Sequence, residues 1–426
     1  MNSVYKLYKP IRMLVLFNLL SFGLLYFYYN QQNKDVLLLG MVMIGILFLV
    51  YKFIQWRNFG DEYLFLIASF LVSMGILMIY RLDAALGKQQ ILWFFIGSGL
   101  FLSSFVIYRA VSFWDRIPFV YPLISYGLFI ATQLFGISSG GAKNWLSIGP
   151  YVVQPMEGIK LLFIFFIAAF LKNRDRISGI SIPLKGKRLY FDNMYLLMAL
   201  SFLHMVFLIL QREWGGTLLF FFIYLSLLYV FDAPFRFLLG NVLLAVLGGL
   251  GGYLALSHIQ QRVAIWLNPW MDVSGSGFQV VQSLFALGAG GFFGKGIGLG
   301  NPQYIPEVTT DFIFSAIAEE MGIFGGVSVV LLYFLLVYRG VKIALKSDDS
   351  FQKGVALGIT ALFGYQTFII IGGVIKLIPL TGITLPFISY GGSSLITSFI
   401  ALGILQGVSS SKDKFVYKEL TDDEGK

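Results

Sequence analysis

"WGGTLLFFFIYLSLLYVF", residues 214 to 231, carries no charged side chain. That is close to the ~20 apolar residues a helix needs to cross the hydrocarbon core of a bilayer. Comparable runs recur near residues 11–30, 35–54, 63–80, 90–109, 118–136, 156–171, 192–210, 236–257, 311–338, 354–375 and 385–408. The composition agrees, with 57% hydrophobic, 17% aromatic and 12% charged residues in 426 and a mean hydropathy of +0.78. A soluble domain carries about twice that share of charge. The expectation is an all-α polytopic membrane protein of about twelve transmembrane helices. The first run follows "KLYKPIR" and ends in "FYYNQQN" without a small-residue cleavage site, so it reads as a retained anchor.

Lys and Arg resist translocation and collect on the cytoplasmic side. With the N-terminus inside, the cytoplasmic segments hold 22 of the 31 basic residues, among them Lys172, Arg174, Arg176, Lys185, Lys187 and Arg188 of one loop. Both termini are therefore expected in the cytoplasm. The net charge of +9 is a topology signal and gives no reason to propose nucleic acid. Cysteine is absent, which excludes a thiol nucleophile and a disulfide framework, and the two histidines, His204 and His258, stand apart without a metal motif.

Two segments on the outer side exceed the length of simple connections, and long ordered loops usually carry function. One is "GISSGGAKNWLSIGPYVVQPMEGIK", residues 136–160; the other is the stretch 258–310. The second contains "GFQVVQSLFALGAGGFFGKGIGLG" (277–300), which starts as a short helix with Gln279, Gln282 and Ser283 on one face. Its glycines do not fit a phosphate-binding loop, since "GKG" lacks the required Ser or Thr. Two readings stay open: glycines that let backbones cross closely, or backbone approach to a bulky ligand beside Lys295.

"PEVTTDFIFSAIAEEMG" (306–322) follows at once. Thr309 or Thr310 is expected to cap a helix beginning near Asp311, where free N–H groups favour an ionised carboxylate. Asp311, Ser315 and Glu319 recur at spacing four on one face, with Glu320 on the opposite one. Asp311 and Glu319 would lie about 12 Å apart along the axis, too far to act as an acid and base on one glycosidic bond. Asp311 alone could be an ordinary helix-start acid. Glu319, at membrane depth, implies a buried network or a substrate path. Glu157 and Lys160, at i and i+3, are either a structural ion pair or a binding site for a charged head group. Trp145 fits an interfacial aromatic. "LTGITLPFISYGGSS" (380–394) opens the final span with a proline and then small residues suited to close packing or a cavity lining.

These four stretches, "GAKNWLSIG…QPMEGIK", "GFQVVQSLFALGAGGFFGKGIGLG", "PEVTTDFIFSAIAEEMG" and "PLTGITLPFISYGGSS", resemble in content and order the SEDS family (shape, elongation, division and sporulation), of which RodA and FtsW are members. The resemblance covers about residues 60–408. It implies a ten-helix glycosyltransferase domain over 61–410, preceded by a 1–60 segment with two extra helices and followed by a cytoplasmic tail, 411–426. It further implies polymerisation of lipid II into peptidoglycan glycan strands at the outer face of the cytoplasmic membrane. The implied partners are a class B penicillin-binding transpeptidase and other cell-wall elongation or division proteins.

The family's catalytic aspartate falls on Asp311, which reads as the general base drawing the proton from the acceptor sugar hydroxyl. The polyprenyl pyrophosphate leaving group calls for cations, and Lys143, Arg262, Lys295 or a divalent ion (Mg or Mn) are the candidates. The wider substrate set is Trp145, Glu157, Lys160, Gln279, Gln282, Ser283, Glu319 and Ser393. The chain departs from the family at Asn144, where Arg is common, at Met156, where Ser is usual, and at "QREWGGTLL" (211–219), where Glu213 takes an aspartate's place. The alternative function is a flippase or transporter of the lipid-linked precursor, which would also use intramembrane Glu and Lys. A non-catalytic scaffold is a third reading.

Overall fold

The computed structural model describes residues 10–29, 35–139, 142–149, 151–177, 180–184 and 187–410. Every apolar run becomes a helix, and two more helices form in the stretch 258–310. In chain order they are α1 (Pro10–Tyr28), α2 (Asp35–Arg57), α3 (Glu62–Leu82), α4 (Ala84–Ala110), α5 (Val120–Phe135), α6 (Pro155–Lys172), α7 (Asn193–Leu210), α8 (Trp214–Val230), α9 (Phe235–Ala255), α10 (Ser257–Leu267), α11 (Phe278–Gly290), α12 (Ile313–Lys346), α13 (Ser350–Val374) and α14 (Gly392–Ser409). Among the described residues nine helices are long and apolar enough to cross a membrane. The other three expected spans differ for identifiable reasons. α5 and α8 are shorter, and α6 carries Glu157, Lys160 and Lys172 in its 18 residues.

The chain is not wholly helical. Strands β1 (Ile137–Ser139), β2 (Ala142–Ile148) and β3 (Tyr151–Val153) form an antiparallel sheet in the 136–160 segment, and β4 (Ile180–Leu184) pairs with β5 (Lys187–Phe191) as a hairpin. With too few apolar residues to be a span, each loop satisfies its backbone by local pairing instead. Lys185, counted in the charge argument, and the 411–426 tail lie outside the described residues.

The chain divides into two compact units. Unit 1 comprises Met1–Arg109, Ala264–Arg339 and Gln366–Lys426. Its centre is α3, buried over most of its length. Gly75 of α3 takes the Ile388 backbone where a Cβ would collide, and Phe94 of α4 meets Phe399 of α14. At the start of α3, Asp61 accepts from Arg339 at 2.7 Å, and the guanidinium also stands over the Tyr63 ring. Unit 2 comprises Ala110–Val263 and Gly340–Tyr365. Its centre is α6, whose Phe163, Phe166 and Phe170 are fully buried. Gly354 and Gly358 let their helix approach Ala168 and Ile164 closely. His204 sits among Tyr126, Phe163 and Phe220 with Nδ1 at 2.9 Å from the Leu200 carbonyl, a packed aromatic position. Lys172 joins Asp115 (2.8 Å) and Asp349, so three connections that the charge count puts on one side do come together.

One backbone position shapes α12. Gly322 has φ 68° and ψ −166°, a conformation open essentially to glycine alone, and it breaks the helix into two pieces. A Cβ there would overlap Gly294 N and Phe292 O, so the kink is where the 291–304 loop is laid against the helix. Replacement of Gly322 by Ala is expected to cost at least ~1–3 kcal/mol in strain alone. A variant with the wild-type melting temperature in detergent would show that the kink is dispensable.

Candidate active site

Asp311 lies two residues before α12, in a series of turns. The helix starts later than expected because Asp311 N and Phe312 N both turn back to Glu307 O (3.1 and 3.3 Å), and Glu307 itself has φ 54°. Thr310 is not the helix cap: its hydroxyl bonds to Glu307 O at 3.1 Å. The segment is instead pinned from the other side. Thr309 O accepts the Tyr390 N–H at 2.8 Å, and Thr310 O accepts the Ser389 hydroxyl at 2.6 Å. Gln90 then holds Ser389 O at 3.1 Å. The "LPFISYGG" sequence therefore has a task that its small residues only partly announced. Its non-helical part, up to the start of α14 at Gly392, clamps both carbonyls that precede Asp311, and Asp311 is left half-buried.

Further along α12, both glutamates are buried and both are engaged. Glu319 Oε1 accepts from Lys295 Nζ (2.9 Å) and from Asn301 N (2.9 Å). Glu320 Oε1 lies 2.7 Å from Arg81 Nε, and its Oε2 accepts from Gly298 N at 3.0 Å. Arg81 also donates to Gly300 O (2.8 Å) and Gln303 Oε1 (3.2 Å). The backbone follows the side chains, since Lys295 N and Gly296 N bond to Glu319 O and Glu320 O at 3.0 Å each. Gly294, Gly296 and Gly298 all have positive φ, and a Cβ at Gly290 or Gly294 would meet the carbonyl of Ala318 or Glu320. Close backbone crossing, the first of the two readings of this glycine run, is what these contacts require.

Unit 2 carries a second polar cluster. Glu157 and Lys160 form a 2.7 Å ion pair with side chains 8% and 2% exposed. Glu213, at the turn before α8, accepts from Asn144 Nδ2 and from Gln154 Nε2 (3.3 Å). Burial pushes the Glu213 carboxyl above the usual carboxylate range, against the Asn144 hydrogen bond and the charge of Lys160, which pull it down. Arg262 acts on it electrostatically as well. Neighbouring Lys143 donates to Gln133 O (2.6 Å) and Leu134 O (3.4 Å), the last turn of α5, where a cation complements the helix end. Trp145, half-buried, pairs with Ile137 across β1 and β2. His258 accepts the Trp214 indole N–H at 2.9 Å.

Not every candidate residue faces outward. Ser283 is fully buried and shares a 2.7 Å hydrogen bond with Ser315, which fastens α11 to α12 and removes it from any substrate surface. Gln279 and Gln282 are half-buried, and Ser393 lies half-buried in the first turn of α14. Lys295 and Glu319 neutralise each other, so neither is an uncommitted charge. Sequence reasoning missed Arg81 and the role of Glu320. The signal was an arginine at the end of one apolar run and two adjacent carboxylates within another. Among the described residues no group of three or more His, Asp or Glu side chains is arranged to hold a metal ion.

Residues 61–414 match the FtsW, RodA and SpoVE family, described as cell cycle proteins. The peptidoglycan glycosyltransferase RodA of Mycobacterium tuberculosis (strain ATCC 25618 / H37Rv) is 32% identical over 370 residues, covering 83% of this chain and 79% of its own. The stage V sporulation protein E of Bacillus subtilis (strain 168) is 34% identical over 369 residues, covering 82% and 96%. A solved structure described as structural coordination of polymerization and crosslinking by a peptidoglycan synthase complex is similar with a TM-score of 0.66 and 29% identity, over 82% of this chain and 97% of the other. The rod shape determining protein RodA of Thermus thermophilus is similar with a TM-score of 0.58 and 25% identity, over 82% and 96%.

The Glu157–Lys160 pair has a clear thermodynamic signature. Removing one partner strands a buried charge and is expected to cost ~3–5 kcal/mol, whereas removing both leaves no such charge. Glu157→Ala should therefore lower thermal stability more than Glu157→Ala with Lys160→Ala. Equal loss in the single and double variants would dissolve the pairing.

Proposed function

Since the chain belongs to the FtsW, RodA and SpoVE family, we propose that it is a peptidoglycan glycosyltransferase that polymerises lipid II, with Asp311 as general base. The observation that carries this reading is the fixed backbone before Asp311, whose two preceding carbonyls are each held by a hydrogen bond from the 389–390 segment. A base must be held within hydrogen-bond reach of one hydroxyl, and a carboxylate on a clamped turn loses less freedom on doing so than one on an open loop. Proton removal from the acceptor hydroxyl lets its oxygen attack the anomeric carbon of the second sugar as the bond to the polyprenyl pyrophosphate breaks.

The charged leaving group falls to cations. Lys160 with Glu157, Lys143 and Arg262 are assigned to it, together with the indole of Trp145 as an interfacial support for the lipid. The polyprenyl chain is assigned to apolar helix faces. Gln279, Gln282 and Ser393 are assigned to polar contacts with sugar or peptide, and Lys295 with Glu319 to shaping the loop they bridge. We divide the chain into a hairpin segment, 1–60, the enzymatic domain, 61–410, and a tail. Both termini are placed in the cytoplasm and the Asp311 side at the cell surface. A class B penicillin-binding transpeptidase is the proposed partner for crosslinking, along with other elongation or division proteins.

Asp311→Asn keeps the shape but cannot take a proton, and is expected to slow glycan polymerisation by purified protein in detergent by ~10² to 10⁴-fold while lipid II binding and melting temperature are kept. Near-normal polymerisation by that variant would remove the base assignment. Transfer of lipid II across vesicles without polymer formation in detergent would favour a flippase.

The placement of termini is tested separately by cysteines introduced at positions 143 and 272. Both should react with an impermeant reagent on intact cells. Labelling only after lysis would invert the orientation.

A further inference from the structure

The hairpin of α1 and α2 precedes the residues that match the family, which begin at 61. It belongs to unit 1 and is fastened to the rest of that unit along its length. In α1, Leu14, Asn18, Ser21, Phe22 and Leu25 recur at spacings of three and four and are buried. Asn18 Nδ2 donates to Ser73 Oγ of α3 at 3.0 Å, and the Phe17 and Phe70 rings stack at 4.6 Å. At the start of α2 Asp35 pairs with Lys88, and at its end Gln55 and Tyr51 donate to Glu62 Oε2 at 2.6 and 3.1 Å. So many polar contacts fix the axial register of the hairpin, which apolar packing alone does not.

That register delivers the last residues of α1 to a particular place. The Tyr29 hydroxyl donates to Tyr80 O at 2.9 Å, and the Tyr28 ring stands edge-on to Tyr29 at 5.1 Å. The same ring also meets the glycine loop. A Cβ on Gly298 would come within 2.6 Å of the Tyr28 ring, so ring and loop backbone are in direct contact. The Arg81 guanidinium lies 5.8 Å from the same ring centroid, and its side chain is only 5% exposed. Arg81 is the residue that ties Glu320 to Gly300 and Gln303.

We propose that the α1–α2 hairpin positions the 291–304 loop on α12, with Tyr28 as the positioning residue that covers Gly298 and the Arg81 guanidinium. The proposal rests on the reading of this site as a transferase site. Removing the ring uncovers the positive-φ backbone at Gly298 and opens to solvent an ion pair whose side chains are otherwise buried. Screening then weakens the Arg81–Glu320 attraction, which holds the loop in place. A phenyl ring keeps the cover and the cation–π contact, so the hydroxyl of Tyr28 is not required.

The test compares purified full-length wild type, Tyr28→Ala and Tyr28→Phe by hydrogen exchange and by lipid II polymerisation. The amides of Lys295, Gly296, Gly298 and Asn301 are each bonded to a Glu319 or Glu320 oxygen and report the loop directly, whether or not the protein polymerises anything. In Tyr28→Ala these amides should exchange roughly 10-fold faster, while protection in α5 to α8 is unchanged. The same variant should lose roughly 10-fold in kcat/KM, short of the ~10² that a 1 Å displacement at reacting atoms costs. Tyr28→Phe should match wild type in both. Unchanged exchange at the four amides in Tyr28→Ala, or equal damage from Tyr28→Phe, would overturn the proposal. So would a loosened loop with unaltered kinetics in a wild type that polymerises. A loosened loop in a protein whose wild type makes no polymer would retain the loop contact and sink the transferase reading instead.

Discussion

Two adjacent carboxylates, Glu319 and Glu320, are 3% and 1% exposed near the start of α12, and the arrangement of unit 1 follows from satisfying them. An unpaired charge at that depth costs several kcal/mol, so each needs a cation and further donors. The chain supplies them from two directions, Arg81 from the end of α3 and Lys295 from the loop after α11, with the amides of Gly298 and Asn301 completing each shell. Bringing a loop that close forces its backbone against the helix. Only glycines at 290, 294 and 322 leave room, and the break at Gly322 gives the loop its seat. The same rigid start of α12 is what the Asp311 turn is built upon, with the 385–390 segment closing it from the other side.

Unit 2 answers a similar demand with different means. Glu157 and Lys160 neutralise each other within one helical turn. Glu213 accepts from the side-chain amides of Asn144 and Gln154. Asn144 and Glu213 are the two positions where the resemblance leads one to expect an arginine and an aspartate. The two departures are in contact, which the sequence reading treated as separate changes. A longer acid reaching a shorter neutral donor keeps strand β2 attached to the start of α8, and so holds Lys143 and Trp145 on the same strand.

The helices were legible because a bilayer span is written in uninterrupted apolar residues, and each such run contributes a helix here. The Glu157–Lys160 pair was legible because i and i+3 are neighbours on any helix. Chain geometry beyond that range was not. The Asp311 turn could not be foreseen because Glu307, a non-glycine at positive φ, redirects the amides of 311 and 312. Arg81 and Glu320 lie far apart in the sequence, and Ser283 and Ser315 are 32 residues apart, so no local pattern links them. The glycine run looked the same whether it served a ligand or a backbone, and only the carbonyls packed against it decide. The short strands in the loops escaped notice because their segments are too brief for a period of two to stand out.

The central claim, that Asp311 is the base, is tested most directly by a structure of the wild-type protein with an acceptor glycan and an unreactive lipid II analogue bound. The account predicts an Asp311 carboxylate oxygen within ~2.6–3.2 Å of the acceptor hydroxyl, in line with the anomeric carbon it attacks. An acceptor hydroxyl held instead by Glu213 or Glu157, with Asp311 turned away and out of reach, would contradict it.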